Sequence, residues 1–343
     1  MTPSDRSPRD GTTPPGTARI AVDLLGGDGA PAVVVDGALQ ACSADQDLHL
    51  LLVGPQQVAD EVISALPAAD RHRATVHVVE TAIGMAEAPL SSIRRASTVR
   101  VAAELVYTGA ADAVLSAGSS GAVVAAAAHV LGRFPGVRRP GLAVVLPSVA
   151  GPVVLLDVGV GLDATMLEIV QHAVHGTAYA TVALDIEHPR VGLLSIGSEP
   201  GKGDRLRRAA ALALSDITLP AGGRYIGLVE GHDVPIGGPA DVVVTDGFTG
   251  NVLLKGMEGA LALAGTGAER VSINAATLLG VAGPVVVCHG AATGADVASG
   301  ITLAARLRRG AIIENVATLA RDPLDELTSD GGLTIRDALG ERQ

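Results

Sequence analysis

The 343-residue chain has a formal net charge of −11 and is 48% hydrophobic but only 1% aromatic. The acidic balance excludes nucleic acid as the expected partner, because a phosphate backbone calls for a positive footprint. Two cysteines, Cys42 and Cys288, supply no disulfide framework and fit a reducing, cytoplasmic compartment.

Residues 1–18 open with MTPSDRSPRDGTTPPGT, which is polar and proline-rich. They read as a disordered tail without the apolar region of a signal peptide. Residues 19–343 read as a single α/β domain. Strand-like runs recur at 20–25, 48–54, 75–80, 111–118, 142–147, 152–159, 190–197, 240–247 and 283–290. Helix-like runs at 30–42, 97–109, 121–132, 166–184, 204–215, 250–265 and 294–308 lie between many of them. This alternation predicts a mostly parallel sheet with helices on both faces, a Rossmann-like three-layer α/β fold. The longest apolar stretch, 141–160, is broken by Pro147, Gly151, Pro152 and Asp157. It reads as two strands and a turn rather than a membrane span. Cys288, in the run VVVC, reads as core.

Six strand ends run into glycine: GGDG, GSSG, LDVGVG, SIGSEPGKG, TDGFTG and CHGAATG. Ligands of open α/β sheets bind outside these carboxyl ends, where glycine lets backbone approach closely. ADAVLSAGSSGAV (111–123) aligns without gaps to ADVVVTDGFTGNV (240–252). Each copy ends a strand, at Ser116 in the first, and starts a helix whose free N–H groups would cradle an anion, most often phosphate. Neither copy is a phosphate-binding P-loop or a dinucleotide fingerprint.

Among polar candidates, Asp23 at the first strand end would cap backbone donors or orient a cation or base. Asp28 would be a turn or helix-cap residue. Lys202 and Lys255 are the only lysines, and Lys202 sits in SEPGKGD, where its charge can reach a ligand. His289 ends a strand and is an acid–base candidate. His172 and His175 lack further ligands, so no metal site is expected. The pairs Arg94-Arg95, Arg138-Arg139, Arg207-Arg208 and Arg308-Arg309 read mainly as solvated.

IAVDLLGGDGAP, ADAVLSAGSSGAVVAAA, GRFPGVRRPGLAVVLP, LLDVG, VQHAVHGTAYA, VGLLSIGSEPGKG, VEGHDV and ADVVVTDGFTGNVLLK stand in an order that resembles the bacterial PlsX-type phosphate acyltransferases. The resemblance spans nearly all of 19–310. It implies a phosphotransacetylase-like fold, a homodimer, and acyl transfer from an acyl carrier protein thioester to inorganic phosphate, with no cofactor. The acyl phosphate would feed phospholipid synthesis. Elements shared with the family are Asp23, Gly26, Gly27, Asp28, Gly118, Gly121, Lys202, Asp246, Gly247, Gly250, Asn251 and His289.

On this resemblance, Gly118, Ser119, Ser120, Gly121, Gly247, Thr249, Gly250 and Asn251 would form the anion and oxyanion site. Lys202 would neutralise phosphate, His289 would orient or shuttle a proton, and surface Arg pairs would dock the carrier protein. The family usually has Asn-Thr at Ser119-Ser120, Asn at Ser195, Arg at His232, and Ser-Ser-Asn at Ala291, Ala292 and Thr293. Its basic stretch is shortened around Arg94, Arg95 and Ala96. GAERVSINAATLLGVAGP (267–284) replaces a helical hairpin, which makes membrane association less expected. Two alternatives stay open: a paralogue with another acyl donor or acceptor, and a non-catalytic partner subunit.

Overall fold

The computed structural model describes residues 16–263 and 275–328. In chain order, β1 (Ala18–Asp23), α1 (Ala32–Ala44), β2 (Leu48–Gly54), α2 (Gln56–Ala65) and β3 (Ala74–Val78) come first. Then come α3 (Ser91–Arg94), α4 (Thr98–Tyr107), β4 (Ala113–Ser116), α5 (Ser120–Val130), β5 (Gly141–Leu146) and β6 (Val153–Leu156). They are followed by α6 (Met166–Leu184), β7 (Arg190–Ser195), α7 (Arg205–Asp216), β8 (Arg224–Glu230), α8 (Asp233–Ile236) and β9 (Val242–Val244). The chain continues through α9 (Gly247–Leu263), β10 (Ala275–Leu279), β11 (Val285–Cys288), α10 (Gly294–Arg309) and α11 (Ile312–Thr328). This is the mostly parallel three-layer α/β architecture that the strand–helix alternation predicts.

Contacts divide the chain into two compact units, Met1–Gly132 with Gly283–Ala311, and Arg133–Ala282 with Ile312–Gln343. In the first unit the strand order is β3-β2-β1-β4-β11, all parallel. In the second it is β10-β5-β6-β9-β7-β8, antiparallel at β10/β5 and β5/β6 and parallel elsewhere. Most of the expected tail lies outside the described residues, and Ala18 already opens β1, fully buried. Residues 267–274 of the replaced segment also lie outside them. Residues 275–279 form β10, a strand that the periodicity does not announce.

With five aromatic residues in all, the core is built from Val, Leu, Ala and Ile, and elements approach closely through glycine. At Gly37 on α1 a Cβ would lie 2.5 Å from Val297 of α10, and at Gly176 on α6 it would lie 2.7 Å from Val242 of β9. A side chain there pushes helix from helix or helix from sheet.

The aligned stretches share a device at their amino ends. Asp112 accepts from the backbone N–H and guanidinium of Arg19 on β1 at 2.9–3.1 Å. Asp241 does the same to Arg190 on β7 at 2.7–3.0 Å. In each unit one aspartate locks the start of a strand to its parallel neighbour. The repeat is therefore structural at this end as well as at the glycine corners.

His172 and His175 lie buried on α6, and no group of three or more His, Cys, Asp or Glu among the described residues could hold a metal. His175 meets Phe134 edge-on at 5.7 Å, and its ring nitrogens have no hydrogen-bond partner. Burial, with His172 adding to it, drives its pKa from 6.5 to about 3. The unfolded chain takes up this proton near pH 6.5, while the folded chain refuses it until about pH 3. Stability is therefore full above that window and falls as pH drops through it. For His175 the loss between pH 7.5 and pH 5 is ~2 kcal/mol. Urea unfolding at the two pH values measures it, and His175→Leu flattens the dependence.

Candidate functional site

The carboxyl edge of the first unit's sheet gathers ten of the expected residues. The β1–β4–β11 register sets Asp23 beside Ser116 and lets Gly118 and His289 emerge next to each other. Asp23 is buried and accepts the Ser116 hydroxyl at 2.7 Å and the Leu25 N–H at 3.2 Å. Ser116 Oγ in turn accepts the Gly118 N–H at 3.0 Å. Burial pushes the Asp23 carboxyl above the usual range, and hydrogen bonds from Ser116, Thr98, Leu25 and Gly26 pull it back only in part. Gly26 is the spacer of this cluster: a Cβ there would lie 2.7 Å from Gly118 N and 2.8 Å from Asp23 Oδ2. Gly27, at φ +104°, passes under the carbonyls of Ala117 and Gly290, and the Asp28 N–H donates to Gly290 O at 2.8 Å. Pro89 lies against Gly121, where a Cβ would come within 2.8 Å of its ring. His289 is exposed, and its Nδ1 accepts the Ala291 N–H at 3.1 Å. In its neutral form the imidazole then carries its proton on Nε2, from which it can donate a hydrogen bond.

The start of α5 is open. Ser119 stands at the N-cap without a side-chain cap bond. Among the described residues no acceptor takes the N–H of Ser119, Ser120, Gly121 or Ala122, and the series of bonds begins with Val123 N–H to Ser119 O at 3.0 Å. Several other helix starts are capped by a side chain, while α1, α2, α3 and α8 are not. Thr165 with Glu168 boxes α6, Asp204 caps α7, and Thr293 with Asp296 boxes α10.

The matching corner of the second unit is closed. Asp246 Oδ1 accepts the Thr249 N–H at 2.8 Å, and Oδ2 accepts the Thr249 hydroxyl at 2.7 Å. The Gly247 N–H goes to Gly161 O and the Gly250 N–H to Asp246 O, and among the described residues no acceptor takes the Phe248 N–H. Arg207 reaches this cluster from α7. Its Nη2 donates to Asp246, to Thr249 Oγ1 at 2.9 Å and to Thr245 Oγ1 at 3.3 Å, and Asp204 holds Nη1 at 2.8 Å. Burial alone would raise the Asp246 carboxyl, but Thr249 and Arg207 outweigh it and hold the group below the usual range. The expectation of two like cradles is thus corrected: a carboxylate of the chain itself fills one of them.

The VGVG loop is filled in the same way. Asp157, fully buried, accepts from the N–H groups of Leu142, Gly159, Val160 and Gly161 at 2.7–3.2 Å. Asn251 Nδ2 donates to Val158 O at 3.0 Å and ties α9 to this loop. Lys202 is half exposed and meets Glu199 at 3.9 Å.

Residues 18–266 match the family described as "Fatty acid synthesis protein". The phosphate acyltransferase of Thermobifida fusca (strain YX) is 42% identical over 326 residues, 87% of this chain and 89% of that one. The phosphate acyltransferase of Bacillus cereus (strain G9842) is 42% identical over 249 residues, 71% of this chain and 72% of that one. The chain belongs to the phosphate acyltransferase family. In fold, this phosphate acyltransferase is similar to the EutD phosphotransacetylase from Staphylococcus aureus, with TM-score 0.56 and 17% identity over 88% of this chain and 96% of that one. A phosphotransacetylase from Streptococcus pyogenes gives TM-score 0.57 and 16% identity over 87% and 94%. The family makes the chain an acyltransferase of fatty acid and phospholipid synthesis.

Two residues of this phosphate acyltransferase escape sequence reasoning. Arg207 reads as a solvated cation, yet its side chain is 12% exposed. The readable signal is the Asp204–Arg207 spacing, in which an N-cap acid and the third helical residue share a turn. Asp157 lies inside an apolar run that the strand pattern absorbs.

The sequence presents Gly250 as a position where a side chain would remove anion binding and spare the fold. The structure corrects this, because a Cβ at Gly250 runs into the backbone carbonyl of Asp157 and lies 2.9 Å from Thr245 Cγ2. Gly250→Val is expected to destabilise the protein by ~3 kcal/mol or to prevent folding. Chemical denaturation measures it, and a variant with wild-type stability would contradict the close approach of α9 to that loop.

Proposed function

We propose that this phosphate acyltransferase moves an acyl group from a carrier-protein thioester to inorganic phosphate, giving an acyl phosphate, and that the phosphate is held at the start of α5. The observation that carries the reading is the run of four unpaired N–H groups at Ser119, Ser120, Gly121 and Ala122, in a corner with no carboxylate of its own. Four donors converge there with the positive end of an 11-residue helix. Hydroxyls of Ser119 and Ser120 add to them.

In the proposed step a phosphate oxygen attacks the thioester carbonyl, a C–O bond forms, the C–S bond breaks and the sulfur leaves as thiolate. Holding phosphate still and partly desolvated supplies most of the acceleration, up to ~7–11 kcal/mol when the geometry is ideal. The Nε2–H of neutral His289 donates a hydrogen bond that steadies the departing thiolate, which takes its proton from the phosphate or from solvent. Asp23 would repel phosphate if fully charged. Its burial favours the neutral form relative to an ordinary carboxylate, and Ser116 stands between it and the Gly118 peptide. In the second unit Asp246, Thr249 and Asn251 shape α9 and its neighbouring loop. Lys202 is an exposed cation there.

The test is phosphate-dependent release of thiol from an acyl carrier protein thioester, with hydroxylamine trapping of acyl phosphate. Absence of phosphate dependence rejects the reading. Ser120→Pro locates the anion. Ser120 is the first helical residue, where proline is tolerated, and Ser119 at φ −52°, ψ 121° already has the extended ψ that precedes proline. The substitution removes one N–H and one hydroxyl, while Ser120→Ala removes the hydroxyl alone. One charge-assisted hydrogen bond is worth ~1.5–3 kcal/mol. Ser120→Pro is therefore expected to raise the KM for phosphate roughly 10- to 100-fold above Ser120→Ala. Equal KM values would move the phosphate elsewhere.

A further inference from the structure

The beginning of α7 breaks a local rule. Helix N-termini carry positive partial charge and favour acids in the first turn. Helices α6, α10 and α11 place Glu168, Asp296 and Glu314 there, while α1, α2, α4, α5 and α9 have no acid in the first turn. Helix α7 also lacks one and goes further, because it begins Arg205-Leu206-Arg207-Arg208, three cations at the positive end. Arg207 is explained by Asp246 and Thr249. Arg205 and Arg208 are exposed, and Arg205 has no ion pair among the described residues. Arg208 folds back over the loop, with Nη1 on Gly203 O at 2.6 Å, so its charge lies at the helix start instead of spreading along the helix. Lys202, one of two lysines in the chain, stands two residues before the cap. Of the two local acids, Asp204 is committed to Arg207, and Glu199 sits 3.9 Å from Lys202. The loop entering this patch carries Ile196, 84% exposed. The result is a positive surface with one protruding apolar side chain, on a protein of net charge −11.

Like charges gathered at the positive end of a helix cost stability, and the two local acids, engaged with Arg207 and Lys202, leave Arg205 and Arg208 in excess; a local rule broken with only partial compensation points to function. We propose that Lys202, Arg205 and Arg208, with Ile196 beside them, are the docking surface for an acidic carrier protein that presents the acyl thioester. This rests on the reaction proposed above. Charge complementarity is the argument: an acidic protein surface meets three cations and a helix dipole. An anionic membrane is a poorer match, because a lipid-binding surface gathers about four to eight cations or a broad apolar face, and this patch offers Lys202, Arg205 and Arg208 with the single apolar side chain of Ile196.

The test uses the full chain and one acyl group on two donors, an acidic acyl carrier protein and the small pantetheine thioester. Arg205→Glu with Arg208→Glu leaves Arg207 and its cap in place. The double variant is expected to lower kcat/KM for the carrier-borne donor at least tenfold and to leave the pantetheine donor unchanged. Arg205→Gln with Arg208→Gln should fall between, and the salt dependence of the carrier reaction should weaken in step. Equal losses on both donors, or no loss on either, overturn the surface. So does a variant that loses binding to anionic vesicles while keeping its kcat/KM for the carrier. If wild type turns over neither donor, the proposed reaction fails. Direct titration with the carrier protein then decides the docking separately, since wild-type binding that survives charge reversal rejects it.

Discussion

An aspartate at a strand end, folded back into the glycine-rich turn that follows, is the contact on which the carboxyl edges of both sheets depend. Asp157 is the fullest case. Burying a carboxylate costs several kcal/mol even after relaxation. A hydrogen bond to a charged group returns about 1.5–3 kcal/mol. One or two donors would leave such a group at a loss, whereas four, from Leu142, Gly159, Val160 and Gly161, offset the cost and fix the loop at the same time. The glycines are there because the carboxylate is there: a Cβ at Gly247 would sit 2.8 Å from Asp157 Oδ2. Asp23 and Asp246 repeat the arrangement with fewer backbone donors; Thr249 and Arg207 make up the difference for Asp246, while Ser116 offsets only part of the burial of Asp23.

From this follows the contrast between the two aligned corners. In the pairing of ADAVLSAGSSGAV with ADVVVTDGFTGNV, Ala117 stands where the second copy has Asp246. A backbone trace would show the same strand, turn and helix in each. In the second corner the Asp246 carboxylate takes the Thr249 N–H, and the carbonyls of Gly161 and Asp246 take those of Gly247 and Gly250, whereas the donors of the first corner stay free. A helix start left open, with Ser119 present and not capping, gives up stability that a cap would supply, typically ~1 kcal/mol. Helix α2, after Pro55, also lacks a side-chain cap; what marks α5 is that a serine, a good cap residue, stands at its N-cap and leaves the donors free.

Much of the fold was legible because it is written in periodicity. Each expected strand has a counterpart among β1–β7, β9 and β11. The two strands that went unread, β8 and β10, have weak patterns for physical reasons. β8 lies at a sheet edge with mixed exposure and is bent at Gly227, φ +104°. β10 reads AATLL, too short and too small-sided to separate from a loop. At the site, the glycine corners and Asp23 could be found because their residue types are local signals. Arg207 could not, because its meaning comes from Asp246, Thr249 and Thr245, some forty residues away in sequence. Asp157 was hidden by the apolar company that buries it.

The distribution of cations completes the picture. An acidic chain that handles an anionic reactant would be expected to concentrate free positive charge at its site. Here the arginines are largely engaged in construction. Arg19 and Arg190 clamp strand starts, Arg73 donates to the carbonyls of Cys42 and Asp45, Arg309 pairs with Asp45, and Arg207 braces a corner. What the open corner offers instead is backbone N–H and a helix dipole, which act over a few ångströms. The net charge of the rest of the molecule is screened beyond a Debye length of about 8 Å at physiological salt. Short-range donors therefore outweigh the unfavourable overall charge at the open corner. Burial of Asp23 works in the same direction, because it favours the neutral carboxyl relative to an ordinary aspartate.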